Sequence, residues 1–390
     1  MVRLGTVAAA LGGGIGLFAI SLIPLHSAAP APSFPDPRAD AKLTFENAAD
    51  ERAFRIASLK SARVWRPTDP ATIDLGVNPR DETGLLSADV VSCRLQPKES
   101  SGTTPKFRCV LSNGEVIKVK YGRAVREIHA EVAAARLLSA LGFAADEMHL
   151  VPRLLCFGCP RFPFRAIWAL DWVRARSLVD ALPADRYSEF AWVSVERPFP
   201  GIEVTAGDDE GWRWDELPAV DERAGGASRA ELDALRLMAA FLVHWDNKAA
   251  NQRLVCQGPA DDRPVPTCGQ SVAFIQDLGA TFGPNKVDLK SWDATPIWAD
   301  RTACVVSMNG LPYAGATFTP VQVSEEGRRL LASQLARVSQ AQVEALFTAA
   351  RFPHPDGAGP SEAAKAWAAA FARKARAITE GPACPPLAPL

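Results

Sequence analysis

The sequence predicts an α+β chain in which a small antiparallel sheet is followed by a larger, mostly helical part. Three observations carry this. From Val90 to Tyr121 apolar and polar residues alternate in three short runs separated by turn residues. From Arg126 to Phe143 the apolar spacing becomes helical, and from Ser228 onward helical periods dominate. With 390 residues, 48% apolar and 22% charged, the chain has the composition and length for one large two-lobed globular unit. A formal net charge of −1 without any basic run excludes a general electrostatic footprint for nucleic acid.

Taken in order, Arg3 precedes an apolar stretch from Leu4 to Leu25, and a small, proline-rich segment follows it. Residues 1–30 are therefore expected to be a signal peptide or a retained membrane tether through residues 4–25, and the protein to be exported (periplasmic, extracellular or membrane-anchored). Gly12, Gly13 and Gly14 weigh against a buried helix there, because consecutive glycines weaken a helix in water. Residues 31–87 read as a linker and a leading helix with apolar positions at Phe45, Ala48, Phe54, Ile56 and Leu59. Eight cysteines agree with an oxidising compartment. Cys93 and Cys109 lie in neighbouring β-type runs and Cys256 and Cys268 bracket a polar turn, so both pairs are expected to be bridged across hairpins. A bridge closing 16 residues contributes about 3 kcal/mol in the chain-entropy account. Cys156 and Cys159 could be a local disulfide, a redox pair or half of a zinc site, for which Cys304 and Cys384 would have to supply the other ligands.

The strand runs are Val90–Leu95, Lys106–Leu111 and Glu115–Tyr121, joined by a polar loop that contains Gly102 and by the turn Ser112-Asn113-Gly114. On the third run Lys118 and Lys120 share a face with Val116. The following helix carries Val132, Ala135, Leu138 and Leu141 on one side and is closed by Gly142. Phe164–Val173 reads as a buried strand, whereas residues 174–227 have no clean period and are expected to be helices and loops. Ser228 with Glu231 forms a capping box ahead of a helix that delivers His244 and Asp246 at its carboxyl end. Lys248 and Asn251 come next, and Asp277 ends the β-type run Val272–Gln276. Helical runs at 324–350 and 361–379 place Leu330, Leu331, Leu335 and Val338 toward a core and Lys365, Arg373 and Lys374 toward solvent. Trp292 and Trp298 are expected to be buried, with a role in shaping an acceptor site as the alternative.

The order His244-x-Asp246-x-Lys248-x-x-Asn251, then Asp277-Leu278-Gly279, resembles the catalytic loop and metal-binding motif of the protein-kinase-like superfamily. The block Ala130-Glu-Val-Ala-Ala-Ala-Arg-Leu-Leu-x-x-Leu-Gly-Phe143 is similar to a helix of the secretory-pathway Golgi casein kinase family, and more loosely of HipA-type kinases. The resemblance implies a bilobal fold, with an amino lobe of sheet and one main helix over 88–170 and a helical carboxyl lobe over 171–390. It implies ATP as the nucleotide and Mg²⁺ or Mn²⁺ held by Asn251 and Asp277. Asp246 would be the general base, and Lys248 would offset charge on the transferring group. Lys118 would hold phosphates and pair with Glu131, with Lys120 and Glu127 as the alternatives, while the loop bearing Gly102 would cover the phosphates. Backbone groups at Leu170–Val173, Asp171 included, would meet the adenine edge. The activity implied is exported, ATP-dependent phosphotransfer to a protein or small hydroxyl acceptor. The alternatives are a silent pseudokinase that binds a partner, and transfer of AMP from an inverted nucleotide.

Overall fold

A computed structural model describes residues 26–27, 32–38, 42–98, 102–122, 124–172, 174, 182–207, 210–258, 267–308, 310–311, 315–353, 357 and 359–387. The expected leader or tether at 4–25, Val173 at the expected hinge and the turn at 259–266 lie outside the described residues. In chain order the helices are α1 (Ala48–Lys60), α2 (Glu127–Ala140), α3 (Pro163–Trp172), α4 (Arg229–Leu242), α5 (Leu289–Ala294), α6 (Glu325–Leu335), α7 (Gln340–Ala349) and α8 (Pro360–Thr379). The strands are β1 (His26–Ser27), β2 (Val90–Gln96), β3 (Lys106–Val110), β4 (Val116–Lys120), β5 (Glu147–Phe157), β6 (Arg186–Arg197), β7 (Ile202–Glu203), β8 (Gln252–Gln257), β9 (Gln270–Ile275), β10 (Trp298–Asp300), β11 (Val305–Val306) and β12 (Val321–Gln322). The chain is α+β, as expected, and divides into a smaller unit built on a sheet and a larger, mostly helical one.

The first unit takes in residues 83–123 and 151–193 together with the chain up to Arg38. Its strands run in the order β1-β6-β4-β3-β2-β5, and β6 pairs with β5 as well, so the ring of strands closes. The β2–β3 and β3–β4 pairs are antiparallel as the hairpin signals require, and β5 adds a parallel partner to β2. The alternation in the sequence becomes two faces. Val91, Cys93, Leu95, Phe107, Cys109, Ile117 and Val119 are buried, whereas Lys118 lies across from Arg108 and Lys120 across from Lys106. Cys93 is bridged to Cys109 and Cys156 to Cys159, and Cys93 stands in register with Cys156. The two bridges touch, with the Cys109 and Cys156 sulfurs 3.8 Å apart.

Two expectations for this unit need correction. Residues 164–172 form a helix, not a strand: Ala166, Ile167 and Leu170 are buried at helical spacing behind Pro163, and the tryptophans that gave the run its β-like composition point outward. A short apolar run does not separate the two structures by period alone. The span 174–227, expected without strands, contains the twelve-residue β6. Its burial does not alternate cleanly, and Trp192 is left in the left-handed region at φ 52°.

The second unit takes in residues 39–82, 124–150 and 194–390, and α2 belongs to it. The α2 helix stops where the sequence places Gly142, at φ +91°, and a Cβ there would lie 2.2 Å from the Arg66 carbonyl oxygen. The α4 helix starts on the reciprocal Ser228–Glu231 capping box. The carboxyl-terminal helices close around aromatic rings, with Phe282, Trp292, Phe347, Phe352 and Trp367 in mutual contact. Trp292 is fully buried, as expected, and its indole N–H donates to the Phe241 carbonyl at 2.9 Å. Lys374 departs from its expected solvated position. It is buried, and its Nζ donates to the Thr295 carbonyl at 2.8 Å and the Trp292 carbonyl at 3.1 Å, because its long stem follows the apolar side of α8 to those acceptors.

Cys256 is bridged to Cys268 as expected, and Cys304 is bridged to Cys384 across 80 residues. The chain-entropy account gives this longest loop about 4.5 kcal/mol. Cys304→Ala/Cys384→Ala is therefore expected to lower the unfolding free energy in urea more than Cys93→Ala/Cys109→Ala, for which the same account gives about 3 kcal/mol. Burial pushes the Lys374 ammonium down from 10.5 to about 8, with the Asp293 carboxylate partly opposing the shift. Between those values the unfolded chain holds the proton and the folded one does not, so stability rises as pH climbs. A gain of up to about 3 kcal/mol is expected over this window in alkaline unfolding titrations, and Lys374→Met should lack it.

Candidate functional site

The site is built where α4 ends. Val243 takes the left-handed conformation at φ 56°, and the His244 N–H turns back to the Ala239 carbonyl at 2.9 Å. This sends the chain out of the helix into the polar loop 245–251. His244 is fully enclosed, with its Nε2 3.4 Å from the Gln252 amide nitrogen. Burial lowers its pKa to about 4, against the pull of the Asp277 carboxylate, so the ring is neutral near pH 7. It packs the base of the loop, in keeping with the ordinary behaviour of a histidine in an apolar surround.

Asp246 keeps part of its side chain in solvent, and its Oδ1 lies 3.5 Å from Lys248 Nζ. Asn251 is buried, and its Nδ2 donates to the Asp246 carbonyl oxygen at 2.6 Å. This bond leaves Oδ1 as the remaining polar atom of the Asn251 amide. The Asn251 carbonyl in turn accepts the N–H groups of Gln276 at 2.9 Å and Asp277 at 3.2 Å. These bonds extend the β8–β9 ladder, in which Gln252 faces Ile275. Asn251 thus joins Asp277, 26 residues away, through its main chain and Asp246, five residues away, through its side chain. Asp277 Oδ1 accepts the Gly279 N–H at 3.1 Å. A Cβ on Gly279 would lie 3.0 Å from Glu127 Cγ and 3.2 Å from Asp277 Oδ1, so glycine lets both carboxylate side chains pack there without having to give way.

Glu127, the alternative partner for the strand lysine, is ion-paired with Lys286, whose Nζ also sits 5.6 Å from the Trp245 ring centre. Glu131 lies four residues on along α2 and is 3% exposed. In the first unit, Lys120 is 2% exposed and Lys118 is half-buried on β4. Gly102 is exposed at φ +82°, where a Cβ would lie 3.4 Å from Lys106 Nζ. The expected hinge at Leu170 and Asp171 falls on α3 instead. The Asp171 carbonyl accepts from Arg174 N at 3.0 Å, in a turn of the chain at the end of the helix.

Asn247 was not among the residues expected at the site. This residue is fully buried, and its Oδ1 accepts the N–H groups of Thr317 and Phe318, both at 2.9 Å, while its Nδ2 donates to the His244 carbonyl at 3.2 Å. It fixes the middle of the loop to a segment 70 residues away. An asparagine between two charged residues at a helix exit is common and carries no distinguishing local signal. The Lys286–Glu127 pair had no signal at all, because ion pairs between remote residues leave no local pattern.

No family model and no curated protein matches this chain. Among solved structures, a Helicobacter pylori proinflammatory kinase, CtkA, is similar over 74% of this chain and 97% of its own, at 11% identity and a TM-score of 0.43. A likeness of that size assigns neither activity nor substrate.

Asn251→Asp would replace the amide donor by a carboxylate facing the Asp246 carbonyl oxygen. It is expected to destabilise the metal-free protein by about 1–3 kcal/mol, the cost of a buried polar group that loses its bond. Chemical denaturation without divalent ions, beside the same measurement with Mn²⁺, reads both the cost and any recovery by a bound cation.

Proposed function

We propose that the protein is an exported, ATP-dependent phosphotransferase whose reacting groups lie in the loop after α4 and at the end of β9. The observation that supports this most is the backbone link from Asn251 to both Gln276 and Asp277, which joins the segment bearing a neutral candidate ligand to the one bearing a charged candidate. An amide oxygen and a carboxylate are the hard donors that Mg²⁺ or Mn²⁺ takes, and Asn251 already has its N–H side turned away to the Asp246 carbonyl. When bound, such an ion would neutralise charge on the phosphates. Asp246, partly exposed and steadied by Lys248, would orient the acceptor hydroxyl and take its proton as the γ-phosphoryl group moves to that oxygen and ADP leaves. Lys248 would face the charge that spreads over the transferring group.

The two candidate lysines for the phosphates share a face of β4, where Lys120 is 2% exposed and Lys118 is half-buried across from Arg108. Glu131 is the carboxylate of α2 proposed to serve the nucleotide site, with Glu127, ion-paired with Lys286, as the alternative. The four disulfides support the export reading, because such bridges persist in oxidising compartments. Among the described residues no helix is long and apolar enough to cross a membrane.

The test uses the oxidised chain with Mg²⁺ or Mn²⁺ and ATP labelled at the γ or the α position in parallel. Transfer of γ-label to an acceptor supports phosphotransfer, α-label supports AMP transfer, and neither label with no thermal shift leaves a binding protein. Asp277→Asn is expected to abolish most of the metal-dependent thermal shift, which at ~100 times the dissociation constant corresponds to about 2.7 kcal/mol for the parent. A variant that shifts as much as the parent removes Asp277 from the metal site.

A further inference from the structure

We propose that the outward face of α3 is a docking surface for an anionic phospholipid bilayer. This rests on the export reading above and is independent of phosphotransfer. The helix has two distinct sides. Pro163, Ala166, Ile167 and Leu170 face inward, while Trp168 is 64% exposed, Trp172 73% and Phe162, just ahead of the helix, 50%. Arg165, Trp168 and Trp172 follow at steps of three and four residues, so they form one stripe along the helix, and Arg161 lies just ahead of its first turn. Each indole leaves a large apolar surface in water, and two on one short face form a patch that a surface without a partner does not retain.

The chemistry of the stripe selects the partner. Tryptophan prefers the boundary between headgroups and acyl chains, where its ring is apolar and its N–H is wet. The charge along it is positive: Arg161, Arg165 and Arg174 are exposed, and among the described residues from 161 to 174 the acidic side chain is Asp171, in a chain whose net charge is −1. A guanidinium binds phosphate oxygens in pairs, and Arg161 lies 5.3 Å from the Phe162 ring centre, so cation and aromatic present one mixed surface. The apolar stretch Leu4–Leu25 ends next to His26, and His26 pairs in β1 with Tyr187 of β6, in the unit that carries α3. A tether in that stretch would hold this unit near the membrane, where a weak surface contact gains from high local concentration.

The experiment uses the full oxidised chain with unilamellar vesicles of phosphatidylcholine, alone or with about 30 mol % phosphatidylglycerol. An apolar tether binds both kinds alike, so the preference for anionic vesicles reads the arginine and tryptophan stripe. We expect the parent to favour anionic vesicles by about tenfold or more, with the preference falling as salt rises. Tryptophan emission should be quenched by brominated anionic lipid. Trp168→Ser/Trp172→Ser should lose both the preference and that quenching with an unchanged melting temperature, as expected for exposed side chains. If that variant melts early, Arg161→Gln/Arg165→Gln carries the same test and should lose the preference. Equal binding of the parent to both vesicle types overturns the proposal. A full preference retained in the tryptophan variant also overturns it, and the aromatic face then belongs to a protein partner. Recovery of the protein in the cytoplasmic fraction with its cysteines reduced would remove the export reading whatever the vesicles report, and a nucleotide shift has no bearing on either outcome.

Discussion

The carbonyl of Asn251 is the point on which the candidate site depends. It accepts two consecutive N–H groups, from Gln276 and Asp277, and thereby fixes the loop after α4 to the end of β9. The side chain of the same residue reaches the other way, to the Asp246 carbonyl. One buried residue thus sets both the spacing and the facing of three polar segments. Its position follows from the strand ladder, since Gln252 opposite Ile275 leaves Asn251 opposite Gln276. The enclosed, neutral His244 and the wholly buried Asn247 support this arrangement from below. Positioning of this kind is what a metal-dependent transfer requires, because misplacement by a fraction of a bond length weakens every interaction in the transition state.

Much of this was legible in the residues. The alternation from Val90 to Tyr121 became β2, β3 and β4, the Ser228–Glu231 box became the start of α4, and the cysteine pairs 93/109 and 256/268 became bridges. These signals are local, and each is enforced by a backbone rule or a short closed loop. The failures are non-local. Phe164–Trp172 has strand-like side chains but only one buried side, and nothing in its period shows which. β6 is a long strand with irregular burial, so its alternation was hidden. Lys374 looked solvated by charge and was buried because two carbonyls happened to be within reach of its stem.

The site residues divide along the same line. The motif order singled out Asp246, Asn251 and Asp277, and hydrogen bonds of Asn251 link the three segments. Side chains that depend on remote partners, such as Glu127 with Lys286, could not be read in advance. The choice between Lys118 and Lys120 was also beyond alternation, because both lie on the same face of β4 and only the depth of burial separates them.

The closure of β6 onto β5 has a consequence for recognition. An open sheet offers a row of unsatisfied N–H and C=O groups that an extended peptide can complete, and the same row invites fibril growth. In the first unit the ring β6-β4-β3-β2-β5 satisfies most of those groups, and the two-residue β1 on β6 stands at an edge among the described strands. Strand addition by a peptide is thereby confined to a short edge, and stray self-pairing is discouraged in the same way. Recognition by this unit is therefore left mainly to side chains projecting from its surface, which places the burden of selectivity on loops and on the short helix beside β3.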